Sequence, residues 1–171
     1  MKNILYTLVL LVSFSSFGQT AKEYFDLAME KFDKEDWYGA IFEFTKAIEL
    51  KPDYDTAYNF RGLSKFKVTD YYSSISDFRK AIKFGADNRE WLHYYYDNMG
   101  GAMLRLGDHK GALNCFEKAI IINSEYANAY LNRGNAKWNL DYPLSEVCED
   151  YRMAAYRGSR RAEERIKNQC N

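Results

Sequence analysis

The sequence lacks the signatures of the common catalytic sites. It has no HExxH, no GxSxG and no glycine-rich phosphate loop behind a strand, and it contains only two histidines. His109 and Cys115 stand six residues apart, which is about 240° around a helix, so they do not form a nucleophile pair. His93 and Asp97 stand four residues apart and could form an ion pair, half of a metal site, or a solvated helix pair. We therefore expect no enzymatic activity, no metal and no cofactor.

The chain also lacks an excess of either charge. Its 24 lysines and arginines balance 24 aspartates and glutamates, which argues against a general nucleic-acid binder because such proteins need a basic face. The exception is the stretch 152–171, where six basic residues stand against Glu163 and Glu164. The six are Arg152, Arg157, Arg160, Arg161, Arg165 and Lys167. They form either a solvated helix face or a surface for an anionic partner.

One apolar run stands at the start of the sequence, Ile4–Phe14. Lys2 precedes it, and the small residues Ser16 and Gly18 stand where a cleavage site requires them. The run is short for a membrane-spanning helix, which needs about 17 to 25 residues. We predict a cleavable signal peptide over residues 1–18, an exported protein that is periplasmic or secreted, and no stable membrane insertion after cleavage. An uncleaved anchor is the alternative.

A nine-residue pattern recurs along the chain. AIFEFTKAI at 40–48 returns as ALNCFEKAI at 112–120, with fainter copies from Ser74 and Val147. Four columns of residues repeat at intervals of 34 to 38 positions, which is typical of a repeat architecture. The columns are Tyr24, Tyr58, Tyr96, Tyr130; Phe44, Phe78, Phe116, Tyr151; Ala47, Ala81, Ala119, Ala154; and Ala28, Gly62, Gly100, Gly134.

Each unit of this pattern predicts two amphipathic helices joined by a tight turn, because apolar and small residues recur every three or four positions on two stretches. The small residues at Ala28, Gly62, Gly100 and Gly134 are expected to face Ala40, Ser74 and Ala112 and to bring the two backbones close together. The predicted fold is therefore all-α, an α-solenoid of tandem antiparallel helix pairs.

An acidic residue stands at each predicted turn. The pairs are Asp36-Trp37, Asp70-Tyr71, Asp108-His109 and Asp141-Tyr142. In each, we expect the aspartate to accept hydrogen bonds from the free amides at the start of the second helix.

The repeating residues resemble the tetratricopeptide repeat (TPR) family. Its pattern is similar to Tyr24, Leu27-Ala28, Ala40, Phe44 and Pro52 in the first unit, and to the matching columns in the later units. The resemblance covers about 21–158 and implies four repeats, at about 21–54, 55–92, 93–126 and 127–158.

The units depart from the family pattern in three places. Pro52 has no counterpart in the later units, and either Ser145 or Val147 fills the alanine position of the fourth unit, with one extra residue near Pro143. Four extra residues separate the second and third units. We expect them to lengthen the following helix by about one turn.

The segment 159–171 is predicted to be a polar capping helix, because repeat arrays need a cover for the apolar face of the last unit. Three cysteines are an odd number, so at most one intramolecular pair forms. Cys170 lies at the end of this helix and Cys148 on the helix that it covers. We therefore predict a Cys148–Cys170 disulfide, as an oxidising compartment permits.

The resemblance implies a peptide-binding groove along the first helix of each unit. Its positions hold Lys22, Phe25, Met29, Phe32, Asp33; Thr56, Asn59, Leu63, Phe66, Lys67; Tyr94, Asp97, Gly101, Leu104, Arg105; and Asn128, Leu131, Asn135, Trp138, Asn139. The candidate binding residues among them are Asn59, Lys67, Arg105, Asn135, Asn139, Asn128, Lys22, Tyr94 and Asp97. Phe66, Leu104 and Trp138 belong either to the groove or to the core.

The expected function is a non-catalytic scaffold or adaptor that binds a peptide or protein segment in the concave groove. The family's clamp for chaperone C-termini is disfavoured, because Phe25, Met29 and Phe60 stand where three of its polar residues would be. The alternative is a structural subunit of an envelope complex, with its contacts on the convex face or the basic C-terminal helix.

Overall fold

A computed structural model describes residues 19–87 and 89–170, and the predicted signal peptide lies outside that part. The described residues form nine helices and no strand. The helices are α1 (Ala21–Asp33), α2 (Trp37–Leu50), α3 (Asp55–Lys67), α4 (Tyr71–Phe84), α5 (Arg89–Arg105), α6 (His109–Ile122), α7 (Ala127–Asn139), α8 (Leu144–Tyr156) and α9 (Arg160–Gln169).

Consecutive helices pack as pairs, α1 with α2, α3 with α4, α5 with α6 and α7 with α8, and each pair packs on the next. The helix α9 packs on α8 at the end of the array. The odd-numbered helices form one layer and the even-numbered helices the other, with the apolar core between them. The all-α solenoid of tandem helix pairs is thereby confirmed.

The turns inside the first three pairs are closed by the predicted aspartates. Asp36, Asp70 and Asp108 each accept a hydrogen bond from the backbone amide three residues later. In each turn the preceding residue has a positive φ, as at Glu35.

The prediction for Asp141 is wrong. Asp141 itself has a φ of 56° and α8 begins at Leu144 behind Pro143. Asp141 thus takes the left-handed position of the turn, which aspartate tolerates better than most residues. The N-cap position of α8 therefore falls two residues after Asp141, on Pro143, and no side chain caps this helix.

The repeated glycines make room for aromatic rings. A Cβ on Gly62 would lie 2.8 Å from Phe78, and one on Gly134 would lie 2.6 Å from Tyr151. The close approach of the helices that the sequence predicts is present, but the glycines face the aromatic column and not the small residues expected opposite them. Val147, with no exposed surface, fills the alanine position of the fourth pair.

Two neighbouring glycines of α5 are expected to respond in opposite ways to alanine. A Cβ on Gly100 would lie 2.6 Å from Cε1 of the fully buried Phe116, whereas one on Gly101 would meet nothing within 4 Å. Overpacking costs about 1 to 3 kcal/mol, and alanine is favoured over glycine in a helix by about 1 kcal/mol. Gly100→Ala should lower the free energy of unfolding by about 1 kcal/mol, and Gly101→Ala should raise it by up to about 1 kcal/mol. Urea unfolding of both variants measures the difference, and shifts of the same sign would contradict it.

The helix α5 has 17 residues, four more than the 13 of α1, α3 and α7. The four extra residues of the sequence therefore extend a helix, as expected. Because α5 begins at Arg89, its extra first turn carries Trp91 on the same layer as α1 and α3.

Buried ion pairs connect the two helices of three pairs. In the first pair, Lys31 forms an ion pair with Glu43, with 2.8 Å between Nζ and Oε1. In the second, Asp77 accepts from both Arg61 and Lys65 at 2.7 Å.

In the fourth pair, Asp150 accepts a hydrogen bond from Arg133 at 2.5 Å and forms an ion pair with Lys137 at 3.0 Å. The third pair replaces this cluster with Met99, Met103 and Cys115, whose sulfur lies 3.8 Å from that of Met103. The same place in the fold is therefore filled by charges in one pair and by apolar atoms in another.

The helix α9 covers the last pair through a small apolar contact. Ala162 is its one buried residue, and Ile166 and Cys170 pack beside it, as far as the described residues show. Cys148 and Cys170 form a disulfide in the structure, with their Cα atoms 5.7 Å apart, as the sequence predicts. Cys115 is the free cysteine and is buried.

Candidate functional site

The layer of odd-numbered helices carries a chain of cavities, which we call the groove. At its start, an apolar cavity of about 450 Å³ lies between α1, α3 and α5. In the middle, a smaller cavity of about 110 Å³ includes Leu63, Gly101 and Asn132. At its end, a polar cavity of about 500 Å³ lies between α7 and α9.

The apolar cavity is walled by aromatic and aliphatic side chains from three helices. Phe25 comes from α1, Phe60 and Leu63 come from α3, and Trp91 and Tyr94 come from α5. Trp91 and Tyr94 are 43% and 38% exposed, and their rings lie 5.6 Å apart. Its lining is that of a concave, mostly apolar pocket with a few polar groups at its wall.

Two hydrogen bonds donated by asparagine side chains connect neighbouring helices across the groove. Asn98 donates to Oδ1 of Asn59 at 2.9 Å, joining α5 to α3. Asn132 donates to Oδ1 of Asp97 at 2.9 Å, joining α7 to α5. Asn59 and Asp97 were expected to offer free polar atoms to a ligand, but both are buried and hydrogen-bonded. Their first role is to hold the layer together, since leaving them unpaired would be costly.

Burial raises the pKa of Asp97 to about 6, against the hydrogen bonds from Asn132 and Tyr126, which lower it. The Tyr126 hydroxyl donates to the second carboxylate oxygen at 3.2 Å. His93 turns instead to the amide of Asn123, 3.2 Å from its Nε2, and burial lowers its pKa. His93 and Asp97 therefore have separate partners and are both buried, so they form neither an ion pair nor a solvated pair. Among the described residues no group of three or more His, Cys, Asp or Glu is placed to hold a metal ion.

Four of the candidate residues are exposed along the groove or at its edges. Lys67 lies over the ring of Trp37, 5.3 Å from its centroid, and Arg105 lies 6.0 Å from that of Phe66. Lys22 forms an ion pair with Asp26 on the same helix. Tyr94, described above, belongs to the apolar cavity.

The asparagines of α7 have different surroundings. Asn135 lines the polar cavity and accepts a hydrogen bond from the Tyr151 hydroxyl at 3.1 Å. Asn128 is exposed and donates to the Tyr126 hydroxyl at 3.5 Å, and Asn139 is exposed at the other end of the helix.

Three large residues were assigned either to the groove or to the core, and the structure gives them different surroundings. Phe66 and Leu104 pack against the core, whereas Trp138 is 47% exposed. Phe66 also lines the middle cavity of the groove, so the core alternative is confirmed for Leu104 alone and is wrong for Trp138.

Sequence reasoning missed ten residues that line the groove. Five of them are used below, namely Trp91, Asn98, Asn132, Arg161 and Arg165. The four extra residues of α5 point to Trp91, and the spacing of the two arginines, four residues apart, places them on one face of α9. No simple pattern marks Asn98 and Asn132, because their partners lie on neighbouring helix pairs.

None of the helices in the described part of the chain is both long and apolar enough to cross a membrane.

Residues 100–141 match the TPR repeat family. This matched segment contains Gly134, the α6 pattern ALNCFEKAI and the turn at Asp108, within the array of helix pairs. The fold is that of a TPR solenoid. The number and bounds of the repeats stay a prediction. No curated protein matches the sequence.

Several solved structures have the same fold at low sequence identity. The chain is similar to the APC/C hetero-tetramer Cut9–Hcn1, with a TM-score of 0.80 and 15% identity over 89% of this chain and 30% of that one. It is similar to YrrB, described as a TPR protein with an unusual peptide-binding site, with a TM-score of 0.68 and 22% identity over 81% and 69% of the two chains. It is also similar to the first TPR of Spaghetti (RPAP3) bound to the HSP90 peptide SRMEEVD, with a TM-score of 0.67 and 17% identity over 72% and 94%.

Proposed function

We propose that the protein is a non-catalytic scaffold that binds an extended segment of a protein partner in the groove. The observation that carries the proposal is the open apolar cavity with Trp91 and Tyr94 partly exposed at its wall. Exposed aromatic rings beside a concave cavity are typical of binding surfaces. The structures of YrrB and of the RPAP3 domain, whose titles name a peptide-binding site and a bound peptide, support the same use of this fold.

Gly101→Trp tests the proposal by filling the middle of the groove. A side chain at this position meets no atom within 4 Å of its Cβ, so the ring should occupy the groove without disturbing the helix. The matched control is Asn114→Trp, at an exposed position of α6 in the other layer.

Both variants and the unaltered protein are crosslinked in the native envelope, and the crosslinks are mapped by mass spectrometry. Crosslinks from the partner to α1, α3, α5 and α7 should be lost in Gly101→Trp and kept in Asn114→Trp. Equal recovery of every crosslink from both variants would refute binding in the groove.

Export is the second part of the proposal. It is supported by the leader-like pattern of residues 1–18 and by the disulfide, since oxidising compartments preserve such bonds. The mass of the mature protein tests it: a chain that starts at Gln19 supports export with cleavage, and an intact Met1 overturns the cleavage.

The alternative function is an assembly subunit whose contacts lie on the outer layer. Tyr38 of α2 and Tyr72 of α4 are 74% and 78% exposed, and their separation of 34 residues places them at the same position of consecutive pairs. Such side chains suit a protein contact. Crosslinks that map to α2, α4 or α9, with none on the odd-numbered helices α1 to α7, would favour this function over the groove.

A further inference from the structure

The two ends of the groove differ in chemistry, which restricts what binds across it. Building on the function proposed above, we propose that the groove binds an acidic protein segment. One large apolar side chain of this segment packs against Trp91, and one carboxylate pairs with Arg161 and Arg165.

The apolar end includes one side chain, Trp91, that only the third helix pair supplies. Trp91 lies on the extra turn of α5, whereas the positions one repeat away, Asp53 and Glu125, lie outside the helices. The cavity of about 450 Å³ has room for one large side chain. Because Asn59 is already bonded to Asn98, the free surface of this cavity is mostly apolar. An aliphatic or aromatic side chain is therefore favoured over a polar one.

The opposite end is cationic. Arg161 and Arg165 line the polar cavity from α9, are exposed, and form no ion pair or hydrogen bond with any described residue. Glu164 also lines this cavity, so the local charge is one positive unit in excess. The amide oxygen of Asn135 is occupied by Tyr151, which leaves its amide nitrogen as a donor. Two guanidinium groups and an amide donor match a carboxylate.

The middle of the groove argues against a partner that is anionic along its whole length. Asp97 places a buried acidic group there, and the chain as a whole has no net charge. A nucleic acid would bring phosphates to every part of the groove. A protein segment can place its acidic residue at the cationic end alone.

The spacing of the two features follows from the helix array. The apolar cavity lies between α1, α3 and α5, with Trp91 on its α5 side, and the polar cavity lies between α7 and α9. Trp91 on α5 and the two arginines on α9 are therefore two helix spacings apart. Packed helices are about 8 to 10 Å apart, so the two sites are about 20 Å apart. An extended chain covers this distance with about six residues.

The probe is a labelled Gly/Ser peptide with one tryptophan and one aspartate about six residues apart, made in both orders. Its binding is measured by fluorescence anisotropy, beside peptides with asparagine for aspartate or serine for tryptophan. Each replacement should weaken binding about tenfold, the size of one charge-assisted or one anchoring contact. Added salt should lower the affinity for the acidic peptide and leave the affinity for the neutral peptide unchanged.

Substitutions in the protein assign each effect to its end of the groove. The double variant Arg161→Gln, Arg165→Gln should bind the acidic peptide about tenfold more weakly and bind the neutral peptide with unchanged affinity. Trp91→Ala should lower the affinity for the peptide that contains tryptophan and leave the affinity for the serine-substituted peptide unchanged. Arg152→Gln, at an exposed arginine of α8 away from the groove, is the charge control. Circular dichroism checks that each variant is folded.

The proposal is overturned if the arginine variant binds the acidic peptide unchanged, or if it loses the acidic and neutral peptides equally. Tighter binding of an oligothymidylate than of the acidic peptide would overturn it in favour of a nucleic acid. If these peptides fail to bind while Gly101→Trp still removes the native crosslinks, the two-ended recognition fails and the scaffold function stands. If the peptides bind equally well to Gly101→Trp, the function proposed above fails as well.

Discussion

Asp150→Ala is expected to lower the free energy of unfolding by about 3 kcal/mol, at the low end of the cost of breaking a buried ion pair from one side. Asp150 is 1% exposed and accepts hydrogen bonds from both Nε and Nη2 of Arg133, while Lys137 lies 3.0 Å away. Without the carboxylate, two positive charges stay close together in a partly buried place. Urea unfolding followed by circular dichroism measures the loss.

The chain itself offers the control for this prediction. The third pair fills the same place with Met99, Met103 and Cys115, so an apolar cluster is compatible with the fold. Adding Arg133→Met and Lys137→Met to Asp150→Ala should recover much of the lost stability, since replacing all members of a buried ionic group is often nearly neutral.

Glu149→Ala, at the exposed neighbouring position of α8, should change the free energy of unfolding by less than about 0.5 kcal/mol. If Asp150→Ala costs no more than Glu149→Ala, or if the triple variant is less stable than Asp150→Ala alone, this account of the cluster is wrong.

The architecture could be predicted from the sequence because the features that determine it recur. Gly62 and Gly100 stand 16 residues before Phe78 and Phe116, and each glycine leaves the space that the ring fills. A packing requirement that returns in every pair produces columns that are visible in one sequence. The error at Asp141 has the same origin, since one extra residue in that turn moves the capping position away from the column.

The groove was harder to predict because its contacts are not periodic. Asn59 is a polar residue at a groove position, which predicts a contact with a ligand. Its side chain instead accepts a hydrogen bond from Asn98, 39 residues away on the next pair. The buried acids Asp77 and Asp150 form a column that is interrupted by Cys115 in the third pair. Contacts between pairs depend on how two helices face each other, and spacing along one helix carries little of that information.

Loss of the disulfide is the second large effect that the structure predicts. Cys148 and Cys170 are separated by 22 residues, and closing a loop of that length stabilises a protein by about 3 kcal/mol in the entropic model. Cys148→Ala with Cys170→Ala should lose this amount in urea unfolding. A reductant should have the same effect on the unaltered protein and none on the double variant.

The helix α9 should be the first part to respond, because Ala162 is the one buried residue among its described residues. Hydrogen exchange should show α9 losing more protection than α1 to α8 in the double variant. In the oxidised protein, a thiol reagent should label one cysteine after unfolding, namely Cys115. In the native state Cys115 should react slowly, since it is buried and burial raises its pKa to about 11. Three labelled thiols, or equal protection of α9 with and without the disulfide, would show that this bond does not hold α9 on the array.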